Sequence, residues 1–172
     1  MTIKTILTEP NPILRQVSKP VENIGKEEQS LMDDMLETMY AANGIGLAAI
    51  QIGVPKRIIV MDIGKDKNNK EPRYFVNPVI KNKDLIKSTY EEGCLSVPNQ
   101  FAEIDRPSTC LVDYLNYNGE KKILQADGLL ATCIQHEMDH LEGILFIDYL
   151  SKLKKSMIIK KLSKTKSNQI II

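Results

Sequence analysis

The sequence predicts an α+β fold in which small antiparallel sheets surround a buried central helix, with a further helix near the C-terminus. Short β-rich runs broken by turns fill most of residues 47–127, a pattern typical of antiparallel strands. Residues 127–143 have a helical pattern that is apolar almost all round from Leu129 to Ile134. Such a helix lies inside a protein. A chain of 172 residues that is 42% hydrophobic fits one domain spanning residues 1–172.

The elements before the central helix follow from local patterns. Asn11 and Pro12 open a short helix that ends near residue 16. Residues 26–42 form a long helix, because apolar side chains recur there at helical spacing. The segment from Tyr117 to Glu120 is a hairpin turn. The best-defined strands are predicted at residues 57–61, 73–77, 110–115 and 121–124.

Two helices are predicted in the last third of the chain. The central one has Asp127 as its N-cap and Gly143 as its C-terminal stop. A basic helix follows at about residues 148–166. We expect an apolar stripe to dock this last helix on the domain. The stripe consists of Leu150, Leu153, Met157 and Leu162.

Charge and cysteine content limit the classes of function. The net charge of +1 gives no whole-chain field that would favour nucleic acid or a membrane. Residues 151–172, however, contain seven lysines and no acidic residue. Three cysteines without close pairing argue against a disulfide framework. With neither a signal-peptide pattern nor an apolar run of about 20 residues, we expect a cytoplasmic protein.

The strongest chemical motif is His136-Glu-Met-Asp-His140 on the central helix. Residues four apart on a helix face the same way, so the two imidazoles can bind one metal ion. Glu137 can then act as a general base. The alternative, a chance occurrence on a solvated helix, is disfavoured because this helix is expected to be buried, where a His pair needs a partner.

A catalytic metal usually takes three protein ligands and a water, so one ligand has still to be found. Cys133 lies three residues before His136, but it is seven residues, about 10.5 Å along the axis, from His140. It is therefore expected to be a wall residue near the metal. Cys110 lies in a strand-like run and is expected in the core. Cys94 is left, beside the flexible Gly93, and this short motif alone suits an ordinary buried cysteine as well as a ligand.

A third segment runs from Gly44 to Gln51, Gly-Ile-Gly-Leu-Ala-Ala-Ile-Gln. Gly44 and Gly46 allow close backbone approach, and Gln51 can offer an amide N–H to a developing oxyanion. Taken alone, the segment is better interpreted as a tight loop leading to a buried strand.

Together, in this order, the segment from Gly44 to Gln51, the run Glu92-Gly-Cys-Leu-Ser96 and the run from Gln135 to Leu141 resemble the three signature motifs of peptide deformylases. The resemblance extends over nearly the whole chain. The 41-residue step from Gln51 to Glu92 and the long C-terminal helix resemble the compact bacterial subclass. One departure is Phe101, where some members carry a basic residue.

The resemblance implies removal of the formyl group from N-terminal formyl-methionine of new polypeptides, with release of formate. It implies one divalent metal ion, Fe²⁺ in the cell, with Zn²⁺, Ni²⁺ or Co²⁺ as alternatives. The implied ligands are Cys94, His136 and His140. Glu137 is implied to be the base that takes the proton of the attacking water. The side chain of Gln51 and the backbone N–H of Leu95 are implied to stabilise the oxyanion.

The implied substrate site combines close backbone approach with an apolar pocket for the methionine side chain. Ile45, Leu129 and Cys133 are expected to line the pocket. Arg106 is a candidate charged contact, or equally a surface residue. The full set of expected substrate-binding residues is Gly44, Ile45, Gly46, Gly93, Arg106, Leu129 and Cys133. The partners expected are formyl-methionyl nascent peptides. The lysines of the basic C-terminal helix fit two interpretations equally well, a solvated face that aids solubility and a surface that binds the RNA phosphates of the ribosome.

Two other functions fit parts of the sequence. A zinc peptidase uses the same His-Glu helix, but it needs a third His or Glu ligand further along, and the chain has only the two histidines of the motif. A ribosome-associated module with a structural metal would normally have four protein ligands, and we find three.

Overall fold

The computed structural model describes residues 2–64 and 69–168, with residues 165–168 described by their backbone alone. The helices are α1 (Lys26–Ala41), α2 (Gly128–Leu141) and α3 (Lys152–Asn168). The strands are β1 (Gly46–Ala48), β2 (Ile58–Met61), β3 (Arg73–Lys83), β4 (Lys87–Cys94), β5 (Val97–Pro107), β6 (Thr109–Leu115) and β7 (Lys121–Asp127). Short 3₁₀ helices occupy Pro12–Arg15, Ala49–Ile52 and Phe146–Tyr149. No described helix is long and apolar enough to cross a bilayer.

The strands form two antiparallel sheets. Five of them lie in the order β1-β2-β3-β6-β7, and β4 pairs with β5 in a separate two-stranded sheet. Strands β6 and β7 are joined through the predicted turn, in which Gly119 has a φ of 81°. The α+β prediction with small antiparallel sheets is confirmed, and the predicted strands all lie within β2, β3, β6 and β7, apart from the first residue of the first one.

The five-stranded sheet lies between two helices. Successive side chains of a strand point to opposite faces, and β2 shows this directly. Ile59 and Met61 belong to the apolar cluster formed with α2, whereas Ile58 and Val60 belong to the cluster formed with α1. Each fully buried aliphatic side chain of this kind contributes on the order of 1.5–3 kcal/mol through burial. Helix α2 is thereby enclosed as predicted, and its motif faces the two-stranded sheet.

The C-terminal helix docks through only part of the predicted stripe, since Leu162 is buried and Leu150 packs against the same cluster. Leu153 and Met157 are exposed, whereas Ile158 and Leu162 are buried against Val97 and its neighbours in the third apolar cluster. The predicted helix was continuous from about residue 148, but the chain forms a 3₁₀ helix at Phe146–Tyr149 and α3 begins only at Lys152. The docked face of α3 therefore combines Leu162 from the predicted stripe with Ile158, which the prediction did not include.

Candidate active site

Three candidate ligands meet where β4 ends against α2. The ligand atoms of Cys94, His136 and His140 all lie within 4.8 Å of one another. Cys94 is the last residue of β4, at a register shift in its pairing with β5, and its Sγ lies 3.3 Å from His140 Nε2. The two imidazoles come from successive turns of α2, with ring centroids 5.1 Å apart. The structure brings together the Cys and the two His that the motifs proposed.

This donor set fits a divalent transition metal. One thiolate and two imidazoles suit Zn²⁺ or Fe²⁺, and three protein ligands leave a coordination position for water or substrate, as in catalytic sites. His136 and His140 are both buried. Burial lowers the pKa of His140 well below its usual value, which favours the neutral form that binds metals.

His136 is oriented by a carboxylate to which the sequence motifs assigned no role. Its Nδ1 lies 2.8 Å from Glu92 Oε2, which leaves Nε2 to face the ligand cluster. Glu92 lies two residues before Cys94 on the same strand, and both side chains reach α2, Glu92 at His136 and Cys94 at His140. That spacing is a signal by which Glu92 could have been found.

Arg106 was expected to be either a charged substrate contact or a surface residue, and it is neither. It is buried, with 4% of its surface exposed, and it does not line the substrate cavity. Its Nε donates to Glu92 at 2.5 Å, and its Nη1 donates to Asp139 at 2.8 Å. The guanidinium is therefore occupied by two carboxylates, and the prediction of a substrate contact is corrected to a structural ion pair behind His136. Tyr149 extends this network by donating to Asp139 at 2.8 Å.

Glu137 points its carboxylate towards the backbone of β1. A Cβ atom at Gly46 would overlap with Glu137 Oε1 and lie 2.9 Å from its Cδ, so any side chain at this position would have to move the carboxylate or the strand. Burial raises the pKa of Glu137 to about 7. Its Oε2 is buried and has no hydrogen-bond partner among the described residues. The carboxylate can therefore accept a proton from a molecule bound beside it.

The Gln51 amide is fixed at both ends. Its Oε1 accepts from the backbone N–H of Ala48 at 2.8 Å, and its Nε2 donates to Ser96 Oγ at 3.0 Å. Nε2 also lies 3.6 Å from Cys94 Sγ. The amide donor is thus aimed at the cluster, and Leu95, next to Cys94, packs against Gly44. Ser96 is a further residue that the sequence motifs did not single out.

A cavity of about 500 Å³ opens onto Cys94, His136 and Glu137. Gln51 and Leu95 line it as well. All the expected substrate-binding residues except Arg106 line this cavity. They are Gly44, Ile45, Gly46, Gly93, Leu129 and Cys133.

The comparisons with known proteins agree with this geometry. Residues 3–156 match the family model described as polypeptide deformylase, and the chain is 79% identical to the peptide deformylase of Pelagibacter ubique over the full length of both. The chain belongs to the polypeptide deformylase family. As a member it is a hydrolase, and metal dependence is the norm of the family.

Solved deformylases share the fold. The enzyme from Legionella pneumophila superimposes with a TM-score of 0.92 at 43% identity, covering 99% of each chain. The deformylase of Ehrlichia chaffeensis in complex with actinonin superimposes with a TM-score of 0.90 at 44% identity, covering 96% of this chain and 98% of that one. The deformylase fold therefore accounts for almost every described element.

Proposed function

We propose that this chain removes the formyl group from N-terminal formyl-methionine of newly made polypeptides and releases formate. The observation that carries the proposal is that Glu137 lines one cavity together with Cys94 and His136, two of the three clustered candidate ligands. Membership of the deformylase family supports the same reaction. In a formamide the formyl group is bonded to an amine nitrogen. Hydrolysis of this amide needs an activated water, a proton acceptor and a hydrogen-bond donor to the oxyanion.

Cys94, His136 and His140 are proposed to bind one divalent metal ion, Fe²⁺ in the cell, with Zn²⁺, Ni²⁺ or Co²⁺ able to replace it. Such an ion supplies Lewis-acid chemistry, lowering the pKa of water and polarising a carbonyl. Glu92 would hold His136 in the tautomer that this binding requires, through its hydrogen bond to Nδ1.

Glu137 is proposed to accept the proton of the attacking water and to return it to the leaving amine. The nitrogen then departs as a free amino group while formate stays behind. The amide of Gln51 and the backbone N–H of Leu95 donate hydrogen bonds to the carbonyl oxygen as negative charge develops on it. Gln51 is suited to this because its amide is already held by Ala48 and Ser96, so little reorganisation is needed.

The methionine side chain is proposed to occupy the apolar part of the cavity, against Ile45, Leu129 and Cys133. The glycines at positions 44, 46 and 93 would let the peptide backbone approach the walls closely, since none of them carries a Cβ. Burial raises the pKa of the Cys133 thiol, so this residue stays neutral and acts as an apolar wall.

Two further features of the proposal concern the chain as a whole. We infer that residues 1–172 form one catalytic domain that works in the cytoplasm, where nascent chains are made. The lysines of α3 are proposed to attract ribosomal RNA, because phosphate contacts need positive charge and no particular sequence. Lys152, Lys154 and Lys160 are exposed on this helix.

The decisive experiment is formate release from a formyl-methionyl peptide, measured anaerobically with Fe²⁺ or Ni²⁺ supplied. The wild-type chain is expected to turn over, and Glu137→Gln is expected to keep its metal but lose nearly all turnover, because an amide cannot accept the proton. The matched control is Glu103→Gln, at an exposed glutamate outside the cavity lining. Activity of Glu137→Gln within about tenfold of wild type would remove Glu137 as the base.

A further inference from the structure

The hydroxyl and the ring of Tyr149 both contact the buried network behind His136. Tyr149 is the last residue of the 3₁₀ helix at Phe146–Tyr149, and it is half exposed. Its hydroxyl donates to Asp139 Oδ2 at 2.8 Å, and the centroid of its ring lies 5.0 Å from Cζ of Arg106. A single exposed aromatic residue needs no explanation, but contacts of both its ring and its hydroxyl with one buried network do.

Arg106 depends on these contacts, because it is the only buried lysine or arginine among the described residues. A buried cation is costly unless its charge and its N–H groups are compensated. Its Nε and Nη2 donate to Glu92 at 2.5 and 3.0 Å, and its Nη1 donates to the same oxygen of Asp139 that accepts from Tyr149. The ring of Tyr149 adds a cation–π contact with the guanidinium. Tyr149 therefore fixes the guanidinium in two ways, directly through its ring and indirectly through Asp139.

The position of the guanidinium is passed on to His136 by Glu92. Both carboxylate oxygens of Glu92 accept from Arg106, and Oε2 also lies 2.8 Å from His136 Nδ1. The hydrogen bond at one ring nitrogen sets the tautomer and the orientation of an imidazole that binds a metal through the other. A shift of the guanidinium would therefore move the carboxylate and turn the imidazole.

Tyr149 is separate from the substrate cavity. Together with Arg106 and Asp139 it lines a second cavity of about 310 Å³, which shares none of its described lining residues with the substrate cavity. Loss of the Tyr149 hydroxyl would thus remove no contact with a substrate. Its effect is expected at the metal ligands and in kcat, with KM unchanged.

We propose that Tyr149 is a positioning residue for the ligand His136 and acts on it through Asp139, Arg106 and Glu92. The segment between α2 and α3 thereby contributes to the geometry of the metal site without touching a ligand. This inference rests on the proposed function, since it assumes that Cys94, His136 and His140 bind a metal ion.

The test compares Tyr149→Phe and Tyr149→Leu with wild type, each as the full chain loaded with Co²⁺. Tyr149→Phe keeps the ring beside Arg106 and removes only the hydroxyl, whereas Tyr149→Leu removes both contacts. Release of Co²⁺ to excess chelator is expected to be about threefold to tenfold faster in Tyr149→Phe, less than the roughly 10–100-fold cost of losing a direct partner of a ligand. Tyr149→Leu should release Co²⁺ faster still, because the cation–π contact is lost as well. The visible absorption of the bound Co²⁺ should change in both variants, and kcat should fall with KM unchanged.

The matched control is Tyr117→Phe, at a tyrosine whose hydroxyl donates to Asp33 at 3.2 Å and which lines neither cavity. It should equal wild type in Co²⁺ release, absorption and kcat. Urea unfolding of the metal-free chains separates positioning from stability. Equal Co²⁺ release in Tyr149→Phe and Tyr117→Phe would overturn the inference, and so would release rates that follow only the free energies of unfolding. A wild-type chain that neither binds Co²⁺ nor releases formate would instead refute the proposed function, so the two failures are distinguishable.

Discussion

The backbone of Gly46 lies directly against the carboxylate of Glu137, with no room for a Cβ atom between them. The strand β1 and the helix α2 therefore approach each other closely at the residue proposed as the base. A side chain of any size at position 46 must displace either the strand or the carboxylate. The glycine is in this way tied to the position of Glu137, although 91 residues separate the two in the sequence.

Gly46→Ala is expected to lower kcat by about a hundredfold, since proton transfer contributes on the order of 10²–10⁴ and depends on a well-placed base. Metal content should stay stoichiometric because residue 46 is not a candidate ligand. The control is Gly25→Ala, whose new Cβ would meet only Glu28 Oε2 at 3.8 Å. Kinetics and metal analysis on the same preparations check this, and wild-type kcat in Gly46→Ala would contradict it.

Replacement of the candidate thiol ligands should separate two cysteines that both line the cavity. Cys94→Ala is expected to abolish stoichiometric metal binding, because only two protein ligands would be left. Cys133→Ala is expected to retain the metal, since Cys133 is not part of the cluster of close ligand atoms. Metal analysis after gel filtration measures both, and the opposite pattern would reverse the assignment of Cys94.

Gln51→Leu removes the proposed oxyanion donor while keeping the approximate size of the side chain. A donor of this kind acts in the transition state more than in substrate binding. We expect kcat to fall by about 10²–10³-fold with little change in KM. Ser96→Ala provides a comparison, because it leaves the amide in place and removes only its partner at 3.0 Å. A change confined to KM would indicate a ground-state role for Gln51.

Local patterns predicted those parts of the site that depend on one element. His136 and His140 face the same way because they lie four residues apart on one helix, and the periodicity of α2 was evident in the sequence. The approach of Cys94 to the two histidines was not evident in any local pattern, because it depends on β4 ending beside α2. Only the combination of motifs suggested this approach. Pairing of β4 with β5 was likewise missed, because their polar, partly exposed residues lack a clear apolar alternation.

Arg106 illustrates why the remainder could not be predicted. Its partners Glu92 and Asp139 are 14 and 33 residues away in the sequence. A lone arginine gives no indication of which distant carboxylates it will meet, so contact with substrate and exposure to solvent were both considered. In the structure Arg106 is buried and pairs with both carboxylates, so it is neither a substrate contact nor a surface residue. The docking stripe of α3 was only partly predicted for a related reason, since tertiary packing buried Ile158 and left Leu153 and Met157 exposed.

Asp148 links α3 to the rest of the chain and should make stability depend on pH. Its carboxylate accepts hydrogen bonds from Lys155 at 2.5 Å, from the backbone N–H of Leu145 at 3.0 Å, and from Arg15. Burial raises the pKa of Asp148, but these hydrogen bonds outweigh burial and lower the pKa below its usual value. A carboxyl with a lowered folded pKa contributes stability above its unfolded pKa of about 3.9, and the contribution is lost as the pH falls through the folded pKa.

Asp148→Asn should therefore destabilise the chain by about 1–3 kcal/mol near pH 7 and by a similar amount near pH 5. The difference from wild type should shrink once the pH falls below the unfolded pKa of about 3.9, because the unfolded wild-type chain then takes up a proton at this carboxyl. Asp113→Asn, at a carboxylate whose side chain is 42% exposed, should change stability by less than about 0.5 kcal/mol at any of these pH values. Urea unfolding of wild type, Asp148→Asn and Asp113→Asn at each pH measures these free energies of unfolding. If the gap in stability between wild type and Asp148→Asn grew on acidification, the sign of the linkage would be reversed.

The proposed ribosome contact has to be tested without disturbing the core, because α3 is part of it. Truncation after Leu150 would remove Ile158 and Leu162 from the cluster that contains Phe146, whose ring stacks near His136 with centroids 6.2 Å apart. A fall in ribosome binding after such a truncation would therefore be mixed with damage to the site. Replacing exposed lysines keeps the docked stripe and removes only charge. The side chain of Lys166 lies outside the described residues, so it is not used.

Lys152→Gln, Lys154→Gln and Lys160→Gln combined should weaken co-sedimentation with ribosomes while leaving turnover of a short formyl-methionyl peptide near wild type. The slope of log affinity against log salt should fall by about one unit for each phosphate that the variant no longer neutralises, because counterion release drives such binding. Lys155 is kept because it pairs with Asp148. The control replaces Lys81, Lys121 and Lys122, which lie on β3 and β7, with glutamine. If both triple variants bind ribosomes equally, or if wild-type binding is indifferent to salt, α3 is not the contact.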